Sequence, residues 1–198
     1  MNITKTIERQ LGFNNYEYLI KNVDVVNKAN YQKKFNSFYR VRSKTKGWYE
    51  IYYKYFYSIK DNKTISFDMI IDYLFENLPK TKKGNNLVEA SFSSKMLATI
   101  NPEMPILDSK VLDKMNLNKD GSNPQEKLKQ AKKTYSEICF RYSRFYQTSD
   151  FKKVESIFDQ AFPDYKWVSK AKKVDWFMYG MTKKELAELG NFSTLING

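Results

Sequence analysis

Histidine is absent from this chain, and cysteine occurs once, as Cys139. No imidazole is therefore present to act as a general base, to activate a serine or cysteine nucleophile, or to ligate zinc. Chemistry must rest on carboxylates, lysine, tyrosine or serine. Three groups have the residue types and spacing for it. The first is Asp108 in Pro105-Ile106-Leu107-Asp108-Ser109-Lys110-Val111, a carboxylate that follows a proline-punctuated turn and opens a helix. An aspartate at a helix start accepts backbone N–H bonds as an N-cap, and a carboxylate can also face a developing positive charge. The second is Asp68, Asp72 and Glu76, a stripe at i, i+4 and i+8 to which another helix could add ligands for Mg²⁺ or Mn²⁺. Phe67, Ile70, Ile71 and Leu74 define the buried face of that helix, so the stripe reads as solvated or as counter-charge for basic segments. The third is Tyr49, Tyr53 and Tyr57, which stack unpaired bases if exposed and fill a helix–helix contact, the commoner fate, if not. Cys139 falls on an apolar helix face, as a buried and inert thiol does. No metal and no cofactor is expected.

Charge points to the partner. The formal net charge is +12 and the pI about 9.5. Such a field attracts nucleic acid, anionic membrane surfaces or acidic proteins. Residues 1–60 hold 12 basic and 4 acidic side chains, 61–120 hold 8 and 9, and 121–198 hold 14 and 9. The two ends thus carry the excess. Arg40, Arg42, Lys44 and Lys46 form one basic group. Lys132, Lys133, Arg141 and Arg144, and then Lys170, Lys172 and Lys173, form others. Taken together they favour phosphate contact over a merely solvated face. One cysteine permits no internal disulfide, and a reducing, cytoplasmic setting is expected. No apolar h-region follows Met1, and no apolar run has the roughly 18–20 residues of a membrane span, so no membrane partner is expected.

The elements that must hold these residues read as helices. With 198 residues, 41% hydrophobic, 7 Gly and 5 Pro, the chain can bury one core and offers few tight turns. A single all-α domain over 1–198 is expected, with 191–198 as a loose tail. Trp48, Ile51, Tyr52, Tyr55, Phe56 and Ile59 fall on one face of a helix opened by Gly47-Trp48. Ser66 caps the next helix, which Pro79 ends. Val88, Phe92, Leu97 and Ile100 give a third, closed by Asn101-Pro102. Asp108 caps a short helix through Met115. Asn123-Pro124-Gln125-Glu126 starts a long helix burying Leu128, Ala131, Tyr135, Ile138, Cys139, Tyr142 and Tyr146. Phe151, Val154, Ile157 and Phe158 mark another, stopping before Pro163. Residues 167–179 are assigned as helix, and Thr182 with Glu185 forms a capping box with a stop at Gly190. Phe35, Phe38 and Tyr39 suggest a helix running on into Arg40–Lys46.

The stretch 84–112 reads as loop, amphipathic helix, proline-punctuated turn and an Asp opening the next helix. It resembles the helix-hairpin-helix (HhH-GPD) DNA glycosylase superfamily, in its 8-oxoguanine glycosylase-like branch. There a hairpin and helix lead through a proline turn to a Val-Asp-x-x-Val-like segment. Ile106-Leu107-Asp108-Ser109-Lys110-Val111 stands in that place, and the resemblance implies Asp108 as the catalytic carboxylate. It covers about 30 residues. The family hairpin reads Gly-x-Gly, whereas only Gly84 is present. Bifunctional members carry a Schiff-base lysine where this chain has Glu89 to Ser91. Lys95 lies one to two turns beyond and is the weaker second candidate, while Lys82 and Lys83 lie too early. The resemblance therefore implies a monofunctional DNA-repair hydrolase. Duplex DNA would be held by Lys82, Lys83, Gly84, Asn85 and Lys110, with Arg40, Arg42, Lys44 and Lys46 adding phosphate contacts. Two other readings stand beside it: a nucleic-acid-binding module without catalysis, and a basic protein that binds an acidic protein partner.

Overall fold

The computed structural model of the chain describes residues 12–188, 192, 195 and 196. They contain ten α-helices and two short 3₁₀ turns, and no strand. The helices are α1 (Phe13–Lys21), α2 (Ala29–Tyr39), α3 (Lys46–Ile59), α4 (Phe67–Asn77), α5 (Ala90–Ile100), α6 (Ser109–Met115), α7 (Pro124–Phe145), α8 (Ser149–Ala161), α9 (Lys170–Gly180) and α10 (Lys183–Glu188). Among the described residues no helix is long and apolar enough to cross a membrane.

The helix starts follow side-chain chemistry. Thr45 accepts from Trp48 N, Ser66 from Met69 N, Thr148 from Phe151 N and Ser169 from Lys172 N. Asn123 Oδ1 accepts from Glu126 N at 2.9 Å, and the Glu126 carboxylate returns to Ser122 N at 3.0 Å. Thr182 and Glu185 exchange the same pair of bonds at α10. Each cap satisfies N–H groups that have no partner inside the helix.

Backbone contacts group the chain into two compact units. Of the described residues, 12–101 and 119–132 form one; 102–118 and 133–188, with 192, 195 and 196, belong to the other. Neither is a contiguous piece of chain, so no linker marks the division in the sequence. In the first unit α1 packs on α2 and α5, and α4 packs on α5. Phe35 is the hub, with Tyr39, Tyr52, Tyr53 and Phe56 rings at centroid distances of 4.7 to 6.1 Å. Such pairs add to the area they bury. Residues 93–100 of α5 are all buried.

In the second unit α9 packs on α6 and α8. Residues 171–178 of α9 are all buried, so this stretch of the helix has no solvent face. Phe158 of α8 stacks on Trp176 of α9 at 5.5 Å. Two expectations fail here. The tail is not loose at its described positions: Phe192 and Leu195 are buried, Phe192 lies 5.4 Å from the Phe145 ring, and Arg141 donates to Ile196 O at 2.7 Å. The Gly190 stop lies outside the described residues. In the first unit, α2 ends at Tyr39 rather than continuing to Lys46, because Arg40 takes a left-handed conformation (φ 54°).

Candidate functional site

Asp108 stands at the end of a turn that is pinned along its length. Asn101-Pro102 breaks the preceding helix, and Ser169, the N-cap of α9, donates to Pro102 O at 2.5 Å. Tyr135 of α7 donates to Pro105 O at 3.0 Å. Ile106 and Leu107 are buried and act as apolar anchors. The Ile106 N–H and the Tyr142 hydroxyl, the latter at 2.8 Å, both donate to the Asp175 carboxylate. Asp175 is thus a positioning residue for the turn that delivers Asp108.

Asp108 itself is 7% exposed. Its Oδ1 accepts from Lys110 N at 3.0 Å and Val111 N at 3.2 Å, which makes it the N-cap of α6. Oδ2 takes part in neither cap bond. The carboxylate therefore caps with one oxygen. Lys172 and Asp175 of α9 and Tyr142 of α7 lie within electrostatic reach of it. All four are buried, at 7%, 6%, 2% and 1% exposure for Asp108, Lys172, Asp175 and Tyr142.

Burial is the dominant force on these groups. It pushes the Asp175 carboxyl up to about 7, with the Asp108 charge acting in the same direction; Lys172 and the Tyr142 and Ile106 bonds oppose it. It lowers the Lys172 ammonium, against the pull of Asp175 and Asp108. It raises the Tyr142 hydroxyl well above its usual range, which keeps Tyr142 a donor. Two carboxylates, an ammonium and a phenol thus share a site poor in water, near the pH at which one carboxylate exchanges its proton. Buried charges of this kind are costly unless they compensate one another, and they concentrate at functional sites. The Tyr146 hydroxyl, near Asp175 and Glu103, is buried without a hydrogen-bond partner. A second buried lysine, Lys114 of α6, donates to Met178 O at the C-terminal end of α9, where orphan carbonyls favour a cation.

Lys172, Asp175 and Tyr142 were not found as site residues in the sequence. Lys170, Lys172 and Lys173 read there as a basic surface group. Lys170 is exposed, but Lys172 and Lys173 are buried, with Lys173 paired to Asp159 at 2.6 Å and Glu155 at 3.7 Å. The available signal was α9 itself. Ala171, Val174, Trp176, Phe177 and Met178 leave no polar face, so its charges had to go inside. Cys139, read as buried, is half-buried; burial pushes its thiol up to about 11, which keeps it unreactive at neutral pH.

The remaining candidates, Lys110 apart, lie in the first unit. Lys95 is 8% exposed and donates to Tyr39 O at 3.3 Å, with the Phe92 ring 5.2 Å away. Lys82, Lys83, Gly84 and Asn85 form an exposed turn closed by Thr81 N to Asn85 O at 2.8 Å, with φ +76° at Gly84. Arg40, Arg42 and Lys46 are exposed. Lys44 is not: it pairs with Glu89 at 2.5 Å and lies over the Trp48 and Phe92 rings. Glu89 also accepts from Trp48 Nε1 at 3.0 Å and is a structural carboxylate. Lys110, in the second unit, is half-buried with Nζ 5.2 Å from the Tyr179 ring. Asp68 and Glu76 are exposed and Asp72 pairs with Lys132 at 2.6 Å, a solvated counter-charge stripe. Among the described residues no cluster of carboxylates and cysteine could hold a metal ion.

No family model, curated protein or solved structure matches the chain.

Proposed function

We propose that this protein binds duplex DNA and hydrolyses a base–sugar bond, with Asp108 as the catalytic carboxylate. One observation carries the reading. The aspartate of the glycosylase-like segment is a buried carboxylate that caps its helix with a single oxygen, beside a buried lysine and a second buried carboxylate. Departure of a base leaves oxocarbenium-like charge on the sugar, and a desolvated carboxylate stabilises that charge far more than one in water. Asp108 Oδ2 supplies the charge, the two cap bonds fix the group, and the buried Lys172 ammonium compensates it in the resting protein. The basic turn 82–85, with Arg40, Arg42 and Lys46, meets phosphates.

A base-release assay over a panel of lesion-bearing duplexes tests this reading. Free base should appear with the parent chain. None from any duplex would favour a second reading, a binding module without catalysis, which the 7% exposure of Asp108 also favours.

Two further results are expected. Duplex binding falls steeply with salt: if about five phosphates are neutralised, the log–log slope is about −4 to −5. A titration with no binding at low salt contradicts a nucleic-acid partner. Excision is monofunctional, because positions 89–91 carry no lysine and the Lys172 amine is buried. Borohydride therefore traps no protein–DNA adduct. An adduct mapped to Lys172, Lys95 or Lys83 would contradict this.

A further inference from the structure

The Tyr49, Tyr53 and Tyr57 row belongs to no part of the Asp108 site. It lies on α3 in the first unit and lines an open groove of about 700 Å³, together with Lys44, Lys46 and Lys54. The row was expected to be covered by a neighbouring helix, and only part of it is. Tyr53 is buried and forms the floor, its hydroxyl donating to Asn36 Oδ1 at 2.7 Å. Tyr49 is half-buried, its ring parallel to Tyr53 within 9° at 6.5 Å, and its hydroxyl is tied to Val41 O at 3.4 Å. Tyr57 is 43% exposed, with the Lys60 ammonium 5.5 Å from its ring. The groove thus offers aromatic faces graded from floor to rim, the inner two fixed by hydrogen bonds.

Its cations differ in availability. Lys44 is spent on Glu89. Among the described residues Lys46 pairs with Glu50, another lining residue, at 3.8 Å, with both side chains mostly exposed. An exposed pair of that kind is weak and readily exchanged for another anion. Lys54 is exposed.

We propose that this groove binds an unpaired nucleic-acid strand. Fixed tyrosine faces stack bases of any sequence, and lysines on the rim meet the backbone between them. A duplex hides its base faces and presents edges, so it gains nothing from the tyrosines. An acidic peptide would use the lysines and leave the rings idle. The volume is that of an ordinary ligand pocket and admits roughly one or two nucleotides.

The test is fluorescence anisotropy at low salt with the full chain, using labelled ten-nucleotide oligothymidine and a duplex of equal length. Tyr57→Ala should weaken oligothymidine binding about 10-fold and leave duplex binding unchanged, while Tyr57→Phe, which keeps the ring, should bind as the parent does. Lys54→Gln should lower the oligothymidine salt slope by about 0.7. Should Tyr57→Ala lose helical signal, Lys54→Gln and Tyr57→Phe decide. Oligothymidine binding that is absent, indifferent to both Tyr57→Ala and Lys54→Gln, or displaced equally by a polyglutamate peptide overturns the groove. The outcome is separable from the Asp108 reading. A chain that excises bases but ignores oligothymidine overturns only the groove, and one that holds oligothymidine through Tyr57 but excises nothing overturns only the excision.

Discussion

Asp175→Asn should be more stable than the parent at pH 8 and should lose most of the parent's pH dependence between about pH 4 and 7. Asp175 keeps its proton up to about pH 7 in the fold, against an ordinary value of 3.8. Below the lower value both states are protonated, and the fold has its full stability. As pH rises from about 4 to 7 the unfolded chain ionises Asp175 while the folded chain does not, so stability is lost; above about 7 the loss stops growing. Each pH unit of difference is worth about 1.4 kcal/mol, which sets a ceiling on the order of 4 kcal/mol. Asparagine cannot ionise, yet its Oδ1 can still accept from Tyr142 and Ile106. Melting temperatures of both proteins from pH 4.5 to 8 check this. The parent curve should fall relative to the variant curve across that window, and parallel curves would contradict the buried, proton-holding carboxyl.

Asp108→Asn should leave the melting temperature and duplex binding intact and reduce excision by about 10²-fold or more. As an N-cap, asparagine nearly equals aspartate, so the cap bonds to Lys110 and Val111 survive and stability changes by well under ~1 kcal/mol. As a counter-charge to an oxocarbenium-like centre, asparagine is a poor substitute, and a 10²-fold loss corresponds to about 3 kcal/mol of transition-state stabilisation. Binding persists or tightens slightly, since a negative charge near phosphates is gone. Asp108→Ala should cost ~1 kcal/mol through the lost cap, in addition to activity. Equal excision by the parent and Asp108→Asn would reduce Asp108 to a cap.

Most of the helices were legible because their signals are local. Ser66, Asp108, Asn123 and Thr182 each announce a helix start, and each accepts the expected backbone bond. The inward stripe Phe67, Ile70, Ile71, Leu74 is buried as its period requires. Misses arose where a residue's fate depends on distant chain. Tyr53 was placed beside the apolar face of α3 and is buried, because α2 supplies Asn36 for its hydroxyl. Lys44 looked like a free cation until Glu89, 45 residues away, claimed it. The overrun of α2 came from reading a basic run as helix when a left-handed residue ends it at Arg40. The site was half legible. Asp108 stood out through its turn and cap signature, whereas Lys172 and Asp175 become visible only once residues 171–178 of α9 are known to be buried.

The central claim is that Asp108 does chemistry as well as capping. Single-turnover release of free base, measured by mass spectrometry for the parent and Asp108→Asn side by side on one lesion-bearing duplex saturated with protein, addresses it most directly. The parent should release base, and Asp108→Asn should release it at least 10²-fold more slowly at unchanged melting temperature. Release at equal rates, or no release by the parent from any duplex in the panel, would contradict it.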